Sequence, residues 1–336
     1  MREINGKNIL VTGGAGFIGS HLVTHLVKKY DKCQIINFDK LTYAGNLNNL
    51  IGVEKFKNYK FINGDICEYD SIKSTFNKYN IDIVINLAAE SHVDRSIEEP
   101  FAFAETNVIG TLKLLEAAKN IWNNDYTDKL FYHISTDEVF GSLDNDHDLF
   151  TELSHYDPSS SYSASKASSD HFVGAYYRTF DLPIVISNCS NNYGPYQYPE
   201  KLIPVIIDNA LNNRSIPIYG DGSNVRDWLF VSDHISAMEC ILMNSPIGES
   251  YNIGGGDEMK NIDLVRTICD LMDEKVPSEK GKYNDLIAFV KDRPGHDYRY
   301  AIDSSKIKNK LGWEPEFSIK KALSITIDWY KDNQEW

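Results

Sequence analysis

Tyr162 and Lys166 stand four residues apart, so on a helix they share one face, about 6 Å apart along the axis. A free phenol titrates near 10, and a neighbouring ammonium favours its phenolate. Such a base can take a hydroxyl proton while hydride leaves the same carbon. Asp137 and Glu138 are adjacent carboxylates directly after Ser135 and Thr136. Two readings of them are open. One member can stay protonated and donate to a leaving hydroxyl while the other abstracts a carbon-bound proton; equally, Thr-Asp-Glu suits a helix start, with a capping hydroxyl and first-turn acids.

These residues need elements to hold them. Asn8 to Val11 is an apolar, β-prone run leading through Thr12 into Gly13, Gly14, Gly16 and Gly19, then a helical pattern through Ile18, Leu22 and Leu26. A strand, a glycine turn and a helix result. Gly13, Gly16 and Gly19 form GxxGxxG, where missing side chains let a dinucleotide pyrophosphate approach a helix N-terminus. Asp39 closes the next strand, about 20 residues on, where a carboxylate accepts the adenosine ribose hydroxyls. It would repel a 2′-phosphate, which favours NAD over NADP, although the adjacent Lys40 argues the other way. Asp65, after the third strand, suits either an adenine contact or a plain turn.

Six strand runs, Asn8–Val11, Gln34–Phe38, Lys60–Asn63, Asp82–Leu87, Leu130–Ile134 and Pro183–Ser187, alternate with helical segments including Phe101–Asn120 and Tyr162–Phe180. That order predicts an α/β fold, a Rossmann-type doubly wound parallel sheet. Beyond residue 190, Gly/Pro/Tyr-rich segments predict a smaller α/β C-terminal substrate domain, with helices at Leu202–Leu211 and Val231–Met243. The expected division is 1–190 for the dinucleotide, with 229–253 returning to it, and 191–228 with 254–336 for the substrate. Lys119–Lys129 reads as a solvated loop.

The chain has 336 residues, 42% hydrophobic and 24% charged, a globular composition that excludes disorder and disulfide scaffolds. Lys plus Arg total 34 against 48 Asp plus Glu, a net charge of -14, so neither nucleic acid nor an anionic membrane is an expected partner. Five scattered cysteines form no CxxC or metal-ligand cluster, which predicts reduced thiols in the cytoplasm and no metal. No run suits a membrane span, and the first residues do not resemble a signal peptide.

Longer segments carry a more specific likeness: TGGAGFIGS (Thr12–Ser20), DKLTYAGN (Asp39–Asn46), LAAESHVDRSI (Leu87–Ile97), HISTDEVFG (His133–Gly141), PSSSYSASKA (Pro158–Ala167), SNCSNNYGPYQYPEKLIP (Ser187–Pro204), YGDGSNVRDW (Tyr219–Trp228) and DRPGHDYRYAID (Asp292–Asp303). The chain resembles the extended short-chain dehydrogenase/reductases and, more narrowly, the dTDP-glucose 4,6-dehydratase family of deoxysugar (dTDP-rhamnose) biosynthesis. The resemblance implies one tightly held NAD, regenerated each cycle. Tyr162 would take the sugar 4-hydroxyl proton as hydride leaves C4, with Lys166 lowering the tyrosine pKa and Thr136 bonding O4. Glu138 would then take the C5 proton, Asp137 would protonate the departing 6-hydroxyl, and hydride would return to C6.

The family's NAD contacts would fall on the glycines and Phe17, Ile18, Asp39, Lys40, Leu41, Thr42, Asp65, Ile66, Leu87, Ala88, Ala89, Ser91, Thr106, Tyr162, Lys166 and Asn192. Its nucleotide-sugar contacts would fall on Ser91, Thr136, Asn191, Lys201, Leu202, Pro217, Ile218, Tyr219, Arg226, Asn261, Asp292, Arg293, Pro294, Gly295 and His296. Arg226 could instead pair with Asp227 or another acid. Phe140 and Ser161 depart from the family's usual Tyr and Pro without removing a reacting group. A homodimer joined through the helices at Phe101–Asn120 and Tyr162–Phe180 is implied. Three alternatives stand beside this: a dehydratase for UDP-, CDP- or GDP-linked sugar, a 4-epimerase with no use for Asp137 and Glu138, and a non-catalytic NAD-binding protein.

Overall fold

In the computed structural model, residues 1–336 are described except Asn145, Asp146, Arg293 and Pro294. The sequence-based placements of Arg293 and Pro294 therefore lie outside the described residues. Seven strands form one sheet in the order β10-β6-β5-β4-β1-β2-β3, from β1 (Asn8–Thr12), β2 (Gln34–Asp39), β3 (Tyr59–Asn63), β4 (Ile83–Asn86), β5 (Leu130–Thr136), β6 (Ile184–Cys189) and β10 (Ser250–Ile253). Every pairing in it is parallel. The alternation of strands and helices predicts this doubly wound class. The seventh strand, β10, is absent from the six expected, although Ser250–Ile253 closes the 229–253 stretch expected to return to this part of the fold.

Both sheet faces are covered, which is why the strands read as continuous apolar runs. One face packs under α1 (Phe17–Lys29) through Val23 and Leu26. The other packs under α2 (Tyr69–Tyr79), through Ile72 and Phe76, and under the helices carrying Leu114, Trp122 and Val173. Strand order reverses between β1 and β4, and the crevice beyond their carboxyl ends is where such sheets take ligands.

The helix expected at Phe101–Asn120 follows a short helix α3 (Val93–Glu98) and runs as α4 (Pro100–Phe103), a π-helical turn (Ala104–Gly110) and α5 (Thr111–Trp122). The wide turn has a local partner. Asn107 accepts from the Glu90 amide at 2.8 Å, donates to the Glu90 carbonyl at 2.9 Å and reaches Ser165 Oγ at 2.8 Å. The loop expected from Lys119 begins only after Trp122, whose indole is buried and donates to the Ile81 carbonyl at 2.8 Å.

A 20-residue helix, α6 (Ser161–Phe180), starts with a capping box: Ser160 and Ser163 each bond the other's backbone amide at 3.0 Å. Beyond it lie β7 (Asn191–Tyr193), α7 (Leu202–Leu211), β8 (Ile216–Tyr219), β9 (Val225–Phe230), α8 (Val231–Asn244), β11 (Glu258–Lys260), α9 (Asn261–Lys275) and β12 (Ile287–Val290). They contribute a three-stranded sheet, β11-β9-β7, and a parallel pair, β12-β8. Among the described residues no helix is long and apolar enough to cross a membrane, and no group of three or more potential ligands is arranged to hold a metal.

Candidate active site

Across the carboxyl ends of β1, β2, β4, β5 and β6 runs a cleft of about 490 Å³, bounded opposite by β8, β9 and His296. Its first wall is the glycine turn. Gly13 has φ +70, and a Cβ there would stand 2.8 Å from the Ala88 backbone; one on Gly19 would stand 2.1 Å from the Gly13 carbonyl oxygen. Helix α1 begins at Phe17 with no side-chain cap on its N-terminal amides, which leaves them to an anionic group. The turn is held from β2, where Asp39 accepts from the amides of Ala15 at 2.9 Å and Leu41 at 2.8 Å. Each carboxylate oxygen keeps a second acceptor direction. Lys40 pairs with Asp65 at 2.6 Å, and Asp65 also accepts from the Cys67 amide at 2.9 Å. Asp65 is therefore both a turn residue and part of the cleft wall, and Lys40 is engaged by a carboxylate. These features fit a dinucleotide with free ribose hydroxyls.

At the centre, β5 ends with Thr136, whose hydroxyl accepts from the Glu138 amide at 3.3 Å and donates to Asp137 Oδ1 at 3.3 Å. Thr136 thus does cap the short turn that follows. The cap does not explain Asp137, which is 1% exposed with an Oδ2 that lacks any hydrogen-bond partner among the described residues. Burial, then the charges of Glu138 and Asp227, push its carboxyl well above the usual range, against the pull of Arg226 and Thr136. A protonated acid is the form this position favours.

Tyr162 and Lys166 lie in the first two turns of α6 and line the same cleft. Their electrostatics differ from the expectation based on spacing. Burial, then the proximity of Glu138 and Cys189, raise the Tyr162 phenol well above its ordinary value, against the Thr136 hydrogen bond. Lys166 is buried, donates from Nζ to the Ile134 carbonyl at 2.7 Å, and is itself lowered by burial. The expected depression of the phenol by this lysine is not what the structure shows: the phenol is raised, and the ammonium bonds the Ile134 carbonyl on β5.

Every cofactor residue expected from sequence lines the cleft except Leu41, whose backbone amide serves Asp39 instead. Asn192 is fixed by bonds to Ser190, Cys189 and His234. On the substrate side, Ser91, Thr136, Asn191, Lys201, Leu202, Pro217, Ile218, Tyr219, Arg226, Asn261 and His296 line it, whereas Asp292 and Gly295 do not. Asp292 acts on its neighbour, with Oδ1 2.6 Å from His296 Nδ1. Arg226 is 4% exposed and donates to the carbonyls of Val225, Asp297 and Tyr298, with its guanidinium 4.3 Å above the Tyr300 ring. Asp227 accepts instead from the amides of Gly255 and Asp257 at 3.1 and 3.0 Å. Lining residues not anticipated include Glu90, Cys189, Gln197, Trp228 and Tyr300; all five lie inside the matched segments, so their motifs could have pointed to them.

The GDP-mannose 4,6 dehydratase family model matches residues 10–326. The dTDP-glucose 4,6-dehydratase of Escherichia coli is 52% identical over 340 residues, covering 98% of this chain and 94% of that one. Among solved structures, the dTDP-glucose 4,6-dehydratase of Bacillus anthracis str. Ames, in complex with NAD, superposes with a TM-score of 0.87 at 45% identity. That of Streptomyces venezuelae, also with NAD bound, gives 0.89 at 41%. Both comparisons cover 98% of each chain.

Proposed function

The chain belongs to the dTDP-glucose 4,6-dehydratases within the GDP-mannose 4,6-dehydratase family, and from that membership we propose that it converts dTDP-glucose to dTDP-4-keto-6-deoxyglucose on a retained NAD. The observation that carries this is Asp137, a buried carboxyl with an unpartnered oxygen, in one cleft with Glu138, Tyr162 and Lys166. A 4-epimerase needs the tyrosine and lysine but gains nothing from a protonated carboxyl beside them.

NAD, when bound, accepts hydride from the sugar C4 and returns it to C6. The protein's own groups handle the protons. Tyr162 takes the 4-hydroxyl proton, with the Lys166 charge supporting the phenolate and the Thr136 hydroxyl directed at O4. The 4-ketone acidifies C5–H, which Glu138 removes, while Asp137 delivers its proton to the departing 6-hydroxyl, which leaves as water; as hydride enters C6, Glu138 gives its proton back to C5. Arg226 and His296 supply positive or donor groups for the diphosphate, which an acidic chain requires locally.

On this reading residues 1–190, with 229–253, hold the cofactor, and 191–228 with 254–336 hold the nucleotide sugar. The return of β10 to the edge of the main sheet supports that division. A homodimer through α4, α5 and α6 is supported by apolar side chains left exposed there, Phe101 at 87% and Phe172 at 38%. All five cysteines are free thiols, Cys33, Cys189 and Cys269 buried, which supports a cytoplasmic setting. The test is incubation of purified protein with dTDP-glucose and no added NAD. Loss of one water from the sugar nucleotide, with alkali-induced 4-keto absorbance and no net reduced cofactor, is expected. Turnover only of a UDP-, CDP- or GDP-linked glucose would move the assignment to that base, and epimerisation without water loss would overturn it.

A further inference from the structure

Behind the catalytic pair, outside the cleft, lies a buried polar cluster with no part in the chemistry described above. Asp170 is the third member of a stripe spaced by four on α6, after Tyr162 and Lys166. Its carboxylate is 3% exposed. Oδ2 accepts from Ser135 Oγ at 2.7 Å, Tyr156 Oη at 2.9 Å and Asn188 Nδ2 at 3.4 Å; Oδ1 stands 3.2 Å from His133 Nε2. The histidine's state follows from its other side. Thr12 donates to Asn86 Oδ1 at 2.7 Å, so Asn86 presents its Nδ2 to His133 Nδ1 at 3.1 Å. That nitrogen accepts, which leaves the ring proton on Nε2, 3.2 Å from Asp170 Oδ1 but without hydrogen-bond geometry to it. Burial and the Lys166 charge hold the ring below its ordinary pKa, so His133 is a neutral neighbour of Asp170.

We propose that Asp170 is a positioning residue for the first oxidation, the fixed counter-ion that keeps the buried Lys166 ammonium charged where Tyr162 must become a phenolate. This rests on the reading of Tyr162 and Lys166 as the pair that opens the reaction. A buried ammonium bonded to one carbonyl is costly unless an opposite charge is near. Lys166 has burial against its charged form, with Asp170 on its own helix and the Cys189 thiol on β6 as the groups favouring it. Cys189 does not provide a standing negative charge, because burial pushes its thiol up to about 12. Asp170 does provide one: three donors, Ser135, Tyr156 and Asn188, converge on its Oδ2, and although burial works against ionisation, the neighbouring His133 ring, the Lys166 charge and the Ser135 bond bring its carboxyl below the usual range. Removing Asp170 therefore lets Lys166 shed its proton at lower pH, and the tyrosine loses its cation.

The test reads the lysine directly. With carbon-13 at the lysine ε-position and the signal assigned by its loss in Lys166→Met, Lys166 of the wild-type protein should be charged at pH about 8. In Asp170→Asn it should titrate at least about one pH unit lower, and Asp170→Glu should restore most of that difference. A kinetic arm uses a Glu138→Gln background, where elimination is blocked and reduced cofactor formed on mixing with dTDP-glucose reports oxidation alone. There, Asp170→Asn should slow oxidation about tenfold or more at pH 8 and recover toward lower pH, with the KM for sugar nucleotide changed much less. A neutral Lys166 in the wild-type protein, or identical lysine titrations with and without Asp170, would overturn the proposal. The wild-type titration needs no folded Asp170 variant, and it reads the counter-ion even if dTDP-glucose proves not to be the substrate.

Discussion

Asp137 is an acid kept in its donating form by its surroundings, and Glu138 sits one residue further along the same turn. Glu138→Gln should reduce dehydration by about 10²- to 10⁴-fold while the first oxidation persists, so reduced cofactor accumulates on sugar addition. Retention of dehydration in that variant would remove the base role assigned to it. Asp137 must be protonated to act, so its contribution to rate falls as pH rises through its raised pKa. Asp137→Asn should lower kcat by a similar factor and lose that decline, which a pH–rate profile checks. At this scale the proposed reacting groups were legible, since their spacing and motifs are local, and the fold brings them into one cleft. The sequence carried their electrostatics poorly. The four-residue step from Tyr162 to Lys166 implies a depressed phenol, but the ammonium's actual partner is a carbonyl on β5, and Glu138 lies near the phenol. Asp170 and His133 went unread because their contacts join β4, β5 and α6 across large sequence separations.

Among elements, strands and long helices were legible from hydrophobic period, whereas the π-turn at Ala104–Gly110 was not. Within it the Asn107 side chain reaches across to Glu90, a contact that no periodicity encodes. The same holds for the junction of α1 with α8. Glu239 on α8 meets His25 at 2.9 Å, Lys29 at 2.6 Å and the Tyr30 hydroxyl. Burial opposes its charge, yet hydrogen bonds from His25, Lys29 and Tyr30 bring the carboxyl down to about 2. A depressed carboxylate stabilises the folded chain above its unfolded pKa, and that stability is lost as pH falls toward 2. Glu239→Gln should therefore lower stability by about 1–2 kcal/mol at pH 7 and by much less near pH 3. Thermal unfolding of both proteins at the two pH values is the check.

For the whole molecule, the exposed ring of Phe101 on α4 lies on the face proposed to meet a second copy. Phe101→Glu should weaken that association and yield monomers in light scattering at micromolar concentration, with the cofactor half still folded; a dimer of unchanged strength would place the interface elsewhere. The parallel topology also has a consequence in time. Strands β1 to β6 are contiguous and end at Cys189, but the neighbour that covers the outer edge of β6 is Ser250–Ile253, roughly 60 residues later. During synthesis at about 5–20 residues per second, a nearly complete sheet waits some seconds with an apolar, hydrogen-bonding edge open. The nascent chain is thus open to mispairing after Asp137, Glu138, Tyr162 and Lys166 have all been made. Escape from aggregation depends on how quickly the stretch between β6 and β10 arrives.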